Sequence, residues 1–421
     1  MHVTGIIAEY NPFHRGHMCQ LEMVRQRFPE TCVVTVMSGS FTQRGEAAVL
    51  DKWARAQTAV RYGCDLVLEL PAVYAVRSAQ DFARGGVGLL SRLGIVDAIA
   101  FGTELEPIEA LSDVADAMDR ADVQRMLHCG MEDGLSYGKA FCRALSSATG
   151  LTEDTLRKPN TILALEYLRA LKGNPDSADI CPLPLPRIQA EHGDADMGEG
   201  VSSARSIRME LLKESPDWEA IALAVPDATL ESLQKVHSSG LPDMEFLHRA
   251  LLARLLLMNG EGLREVYGIN EGLEHRLIKA AGEAKSLHQL VELASSARCP
   301  KSRIQRTIFY LLSGFSKSQA EKTDSCGPMY ARILALNQRG RLMLREIEKK
   351  ASIPVIAKPA AFINSRTLLE GSNGLSPLQE QLAFDFRAGR LRGLAMSPMQ
   401  TLIYDFIKSP VYIYVDSNLK G

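Results

Sequence analysis

Four short apolar runs in the first hundred residues, each separated from the next by a stretch of helical spacing, constrain the fold of this chain more than any other feature. Residues 3–8, 32–37, 65–70 and 98–101 are brief, rich in Val, Ile and Leu, and bounded by Gly, Pro or polar residues, which is the pattern of strands buried on both faces. Between them, residues 16–28, 51–62 and 78–93 carry apolar side chains at helical spacing. This β-α-β-α-β-α-β order predicts an α/β fold with a Rossmann-like, doubly wound parallel sheet, whose ligands gather at the carboxyl ends of the strands. Further on, residues 160–171 read as a helix, 180–188 as a Pro-punctuated strand, and 206–213 as a helix opening after a Ser-Ser turn. The polar stretch 191–200 reads as a mobile active-site loop. From about Asp217 Leu and Ala recur at helical spacing, as in residues 244–257, 304–312 and 330–347, and a mainly helical C-terminal domain is expected. The expected division is 1–215, 216–398, and a tail over 399–421 that packs back on the body.

The chemistry concentrates after the first strand, in Asn11-Pro12-Phe13-His14-Arg15-Gly16-His17. Pro12 sets a turn, and Gly16 lets the backbone come close to a ligand as a helix begins. A helix N-terminus offers unpaired N–H groups and the positive end of its dipole, so triphosphate is at home there. Adenylyl transfer moves negative charge from the α-phosphorus to the departing pyrophosphate, and donors aimed at those oxygens favour the transition state. His14 and His17 are the candidate catalytic residues on that reading; an HxxH metal pair or a plain helix cap are the alternatives. A second element, Ser202-Ser203-Ala204-Arg205, suits β- and γ-phosphates through hydroxyl and guanidinium donors, or is an ordinary N-cap.

Composition narrows the class. With 421 residues, 46% of them hydrophobic, the chain can bury a large core in two or three domains. No run approaches the roughly 18 apolar residues of a membrane span, and no signal peptide precedes the first strand, so a cytoplasmic protein without membrane association is expected. Eight scattered cysteines include no CxxC pair, which argues against a zinc knuckle or a disulfide framework and for mostly buried thiols. The net charge of -2 hides an asymmetry: between Arg298 and Lys350 stand twelve basic residues and four acidic ones. That is the footprint of a polyanion-binding face, or a set of solvated helix faces. Arg303 and Arg306, one helical turn apart, can follow one phosphate track, whereas Ile304, Ile308 and Leu311 read as core.

Several stretches resemble the bacterial tRNA(Met) cytidine acetate ligases, a family of the HxGH nucleotidyltransferase superfamily. They are Ile7-Ala8-Glu9-Tyr10-Asn11-Pro12-Phe13-His14, Ser38-Gly39-Ser40-Phe41-Thr42-Gln43-Arg44-Gly45-Glu46 with Asp51-Lys52, Glu69-Leu70-Pro71, Phe101-Gly102-Thr103-Glu104, and Pro159-Asn160. The resemblance implies an ATP site running through Ile7, Ala8, Glu9, Tyr10, Asn11, Pro12, Phe13, His14, Arg15, Gly16, His17, Met18, Cys19 and Gln20, joined by Gly102, Asn160 and Arg187. Read from the residues alone, Gly102 is a ligand-side glycine or a turn, Asn160 a base or ribose reader or a helix cap, and Arg187 a phosphate ligand or a surface arginine. The resemblance also implies ATP and acetate as substrates, acetyl-adenylate as intermediate, and the wobble cytidine in the anticodon loop of elongator tRNA(Met) as acceptor. Arg44 and Lys52 are candidates to neutralise carboxylate or phosphate, although Lys52 can equally pair with Asp51 at the surface. A magnesium ion is expected with ATP, but no carboxylate cluster names its ligands. Two rivals stay open: an adenylyltransferase acting on a small phosphorylated metabolite, and a non-catalytic RNA-binding protein that keeps a nucleotide fold.

Overall fold

In the computed structural model, which describes residues 1–105, 109–187, 202–364, 366, 374–401 and 404–414, strands form where the short apolar runs predict them. They are β1 (Val3–Ala8), β2 (Cys32–Ser38), β3 (Leu66–Leu70) and β4 (Ala98–Thr103), followed by β5 (Cys181–Pro186). The intervening helices are Arg15–Arg27, Lys52–Arg61 and Ala79–Arg92. Strand residues alternate between two cores, as the period of two requires. Ile6, Val33 and Val67 meet the helices Arg15–Arg27 and Lys52–Arg61 on one face, while Ile7, Val34 and Leu68 meet Ala79–Arg92 and Pro159–Gly173 on the other.

The sheet order is β5-β4-β1-β2-β3, continued past β3 by β6 (Ala331–Leu336), with β7 (Val355–Ile356) and β8 (Val411–Tyr412) both beside β6. β1 pairs in parallel with both β2 and β4. The chain therefore winds outward from β1 in one direction through β2 and β3, and in the other through β4 and β5. Such a reversal leaves a crevice at the carboxyl ends of β1 and β4. Four helices (Ala110–Met118, Ala121–Glu132, Tyr137–Thr149, Glu153–Arg157) lie between β4 and the helix Pro159–Gly173.

The downstream half differs from expectation in one segment. Residues 330–347, read as one helix, instead make β6 (Ala331–Leu336), which runs antiparallel to β3, and a helix Gln338–Lys350. The run Ala-Arg-Ile-Leu-Ala-Leu is buried throughout and places apolar residues on both faces, so periodicity cannot tell strand from helix. Asn337 then caps the helix that follows. β7 (Val355–Ile356) and β8 (Val411–Tyr412) flank β6, so the sheet draws on both ends of the chain. The stretch 191–200 lies outside the described residues. Among the described residues no helix is long and apolar enough to cross a membrane, and four of the eight cysteines are buried rather than most.

Adding β6 brings a cluster of charge into the core. Lys52 Nζ lies 2.6 Å from Glu69 Oε1 and 2.6 Å from Asp405 Oδ1. Arg332 lies 3.1 Å from Glu69 and 3.2 Å from Asp405. Asp385 accepts from Ala72 N at 2.7 Å and from the Tyr330 hydroxyl. Burial would raise the Asp405 carboxyl, but Arg332 and Lys52 together hold it below its usual value; Asp385, buried beside Glu69, is pushed up. Two expectations change here. Lys52 is an interior ion pair and forms no surface pair with Asp51, and Arg332, counted in the basic segment, is a core residue at 1% exposure. Removing one partner of such a cluster strands the others in low dielectric, so Glu69→Ala should lower the unfolding free energy by about 3–5 kcal/mol, read from chemical denaturation.

Candidate active site

The turn after β1 folds the two histidines back onto their own backbone. His14 is the N-cap of helix Arg15–Arg27, and its Nδ1 accepts from Gly16 N at 3.1 Å. His17 Nδ1 accepts in turn from His14 N at 3.2 Å, and the rings stand 3.8 Å apart. The helix cap and the nucleotide role, weighed as alternatives from sequence, are compatible in this geometry. A neutral imidazole has one donor nitrogen and one acceptor nitrogen, so capping through Nδ1 fixes the tautomer and leaves Nε2–H on each ring as the donor. Burial, reinforced by the nearby Arg187 charge, lowers the His14 pKa to about 3. Burial, then His14 and Arg187, also lowers His17 well below its usual value. Both rings are therefore neutral hydrogen-bond donors at physiological pH.

Tyr10 and Phe13 are buried and pack on His17 and on each other. Tyr10 holds a positive φ of 48°, in the left-handed region that a bulky residue rarely adopts. Asn11 is buried too: its Oδ1 accepts from Val49 N at 2.9 Å, and its carbonyl accepts from Arg208 Nη1 at 2.8 Å. That second bond ties the Ser203-capped helix Ala204–Leu211 to the histidine turn. Within the ATP-site stretch, Ile7 and Pro12 are buried, Arg15 is exposed, and Ala8, Glu9, Gly16, Met18, Cys19 and Gln20 are partly open.

Across the crevice, Gly102 lies on β4 and Arg187 directly follows the neighbouring β5. A Cβ at Gly102 would lie 3.1 Å from Arg187 Cγ, so the missing side chain makes room for Arg187 itself. Arg187 is partly exposed, with Nε 3.9 Å from Glu104. Glu104 also accepts from Thr161 N at 2.8 Å and from Asn160 Nδ2. Asn160, in the first turn of helix Pro159–Gly173, is therefore fixed by Glu104, which links it to Arg187.

The HIGH Nucleotidyl Transferase family model matches residues 1–402. The tRNA(Met) cytidine acetate ligase of Syntrophomonas wolfei is 36% identical over 98% of this chain and 99% of its own length. That of Caldanaerobacter subterraneus is 37% identical over 86% and 90%. The chain belongs to the tRNA(Met) cytidine acetate ligase family. It is also similar to the crystal structure of Thermotoga maritima TmcAL bound with alpha-thio ATP, with a TM-score of 0.86 and 30% identity over 99% of this chain and all of that one. The apo form of the same protein gives a TM-score of 0.87 at 31% identity.

For a member of this family, one residue that sequence reasoning passed over is central. Arg55, fully buried, donates to the carbonyls of Glu9 at 2.6 Å, Ser38 at 3.1 Å and Leu50 at 3.1 Å, and to that of Gly39. It gathers the carboxyl ends of β1 and β2. Burial brings its pKa down to about 10, which still leaves it charged. In sequence it is one helical arginine among many, because only the fold reveals the four carbonyls.

The histidine geometry has a spectroscopic consequence. In the ligand-free protein both rings should keep the Nε2–H tautomer between pH 5 and 8, without a titration near 6.5, as read from 15N ring shifts. Because the folded pKa values lie below the unfolded value, their effect on stability is absent above pH 6.5. Below it the unfolded chain binds the protons first, so stability falls as pH drops from 6.5 toward 3.

Proposed function

We propose that the chain is an ATP-dependent tRNA(Met) cytidine acetate ligase. On this reading acetate attacks the α-phosphorus of ATP, giving acetyl-adenylate and pyrophosphate. The exocyclic N4 of the wobble cytidine of elongator tRNA(Met) then takes the acetyl group and AMP leaves. His14 and His17 serve as catalytic donors, since neutral Nε2–H groups stabilise charge that develops on phosphate oxygens without needing a proton to arrive first. The remaining ATP contacts are assigned to residues 7–20 with Gly102, Asn160 and Arg187, and the helical region within 216–398 to tRNA binding. Among the described residues no three His, Cys, Asp or Glu side chains are grouped to cage a metal. A magnesium ion bound with ATP would be held by triphosphate oxygens and water.

One observation carries the tRNA half of this reading. The loop between Phe41 and Ala47, closed by a bridge between those two residues, leans on helix Lys301–Ser313. Phe41 packs on Phe309 with ring centroids 4.7 Å apart. Gly45, at φ +82°, lies so close that a Cβ would stand 2.9 Å from Arg306 N. The helix bearing Arg303 and Arg306 thus abuts a loop at the rim of the crevice, and a phosphate track on it leads to the reacting centre. Both arginines keep part of their surface open, while Ile304, Ile308 and Leu311 are buried as expected. Arg303 is partly engaged by Asn270 and Glu271, and Arg339 is turned to the carbonyls of Glu30 and Thr31. The usable basic face is therefore smaller than the residue count suggested.

Acetate-dependent exchange of pyrophosphate into ATP, followed by acetate incorporation into tRNA(Met), tests the reaction. Exchange that requires a phosphorylated metabolite in place of acetate would replace this reading, and absence of exchange would remove the enzyme altogether. Arg303→Ala with Arg306→Ala should weaken tRNA binding about tenfold or more at 0.15 M salt and flatten its salt dependence by roughly two log units per log unit of salt. Acetate-dependent exchange should persist in that variant. Equal tRNA affinity for variant and parent would end the assignment.

A further inference from the structure

One carboxylate of the crevice, within the stretch assigned to ATP, is held by a single side-chain hydrogen bond among the described residues. Glu9 follows β1 directly, and its position is fixed from two sides. Arg55 Nη1 binds its carbonyl at 2.6 Å, and its Oε1 accepts from Gln43 N at 2.6 Å. Among the described residues that is the single hydrogen bond found to its side chain, and no ion pair closes on it, although part of its surface remains open. It lies where the histidine turn, the loop 41–47 and helix Pro159–Gly173 converge. The charged and titratable groups that face it come from each of these elements: Arg44 in the loop, Arg55 from helix Lys52–Arg61, Arg208 from helix Ala204–Leu211, and the Tyr167 hydroxyl from helix Pro159–Gly173. Glu9 and Gln43 thus bridge the phosphate side of the crevice to the loop that leans on the basic helix.

We propose that Glu9 is the proton acceptor of the transfer step, receiving the exocyclic amine of the acceptor cytidine and taking its proton as the acetyl group arrives. This deepens the ligase reading and rests on it. The amine nitrogen forms a bond to the acetyl carbonyl carbon, the bond from that carbon to the adenylate oxygen breaks, and AMP leaves with the electron pair. The proton lost from nitrogen passes to the Glu9 carboxylate and from there to solvent. A cytidine amine is weakly basic and must shed a proton to become an amide, so the step needs an acceptor that acetate activation does not. The neutral histidines are poorly suited, because their Nδ1 lone pairs are already spent on backbone N–H groups and their Nε2 atoms carry protons. Desolvation raises the Glu9 pKa against the opposing effects of the Gln43 bond and the Arg208, Arg44 and Arg55 charges, which makes it a stronger base than an exposed carboxylate. Its fixed Oε1 leaves Oε2 to face the incoming amine.

The two half-reactions separate this role from a structural one. Glu9→Gln keeps size and hydrogen-bonding capacity but cannot take a proton. Whatever loss of acetate-dependent pyrophosphate exchange it causes, single-turnover acetyl transfer to tRNA should fall about 100-fold further, and the acidic limb of the transfer pH profile should vanish. Glu9→Asp, which keeps the carboxylate, should restore that limb with part of the rate. Transfer by Glu9→Gln that keeps pace with exchange, or an unchanged pH profile, overturns the assignment. A parent chain that shows no acetate-dependent exchange overturns the ligase reading first, and the assignment with it; the two failures are read in different proteins.

Discussion

A buried guanidinium organises this molecule. Strand ends in a parallel sheet point unsatisfied carbonyls into the crevice where a ligand must bind, and a crevice lined by such groups repels phosphate. Arg55 takes up the carbonyls of Glu9, Ser38, Gly39 and Leu50 and so converts a negative rim into a neutral one. It also fixes the spacing of β1 and β2 just where the histidine turn departs. It holds the backbone of Glu9, which leads into the histidine turn, and that of Ser38 and Gly39, which leads toward the loop 41–47.

The same economy governs the imidazoles. Protonating His14 or His17 would set an N–H against the backbone N–H that each ring accepts, so geometry and burial agree on the neutral form. Positive charge in the crevice comes from arginines: Arg187 on one side, Arg44 and Arg208 on the other. On the proposed reading, guanidinium charge and neutral imidazole donors divide the phosphate contacts between them.

Much of this was legible in the residues. The four apolar runs are short, rich in Val, Ile and Leu, and bounded by Gly, Pro or polar residues, which makes them strands on length and flanks, and HxGH directly follows the first of them. Motifs report local geometry, however, and the long-range partners escaped. Arg55 and Glu104 look like ordinary helical and loop charges until the fold supplies four carbonyls to one and Asn160, Thr161 and Arg187 to the other. Lys52 and Arg332 were expected to serve anions, but their carboxylates come from positions 69 and 405, a separation that no window of sequence reveals. β6 was lost for a related reason: a segment apolar on both faces carries no period, and its identity as a strand depends on the open edge of β3.

That edge has a consequence for how the chain is made. When the first 215 residues leave the ribosome, β3 has an unpaired side and Glu69 has only Lys52 to answer it. Pairing comes with β6, more than a hundred residues later, and the last carboxylate of the buried cluster is Asp405. The nascent nucleotide-binding half therefore keeps a sticky margin exposed until β6 emerges, and its charge cluster waits for Asp405 in the final tenth of the polypeptide. A ribosome that stops before residue 331 releases a sheet without β6, β7 and β8 and with its charge cluster still incomplete.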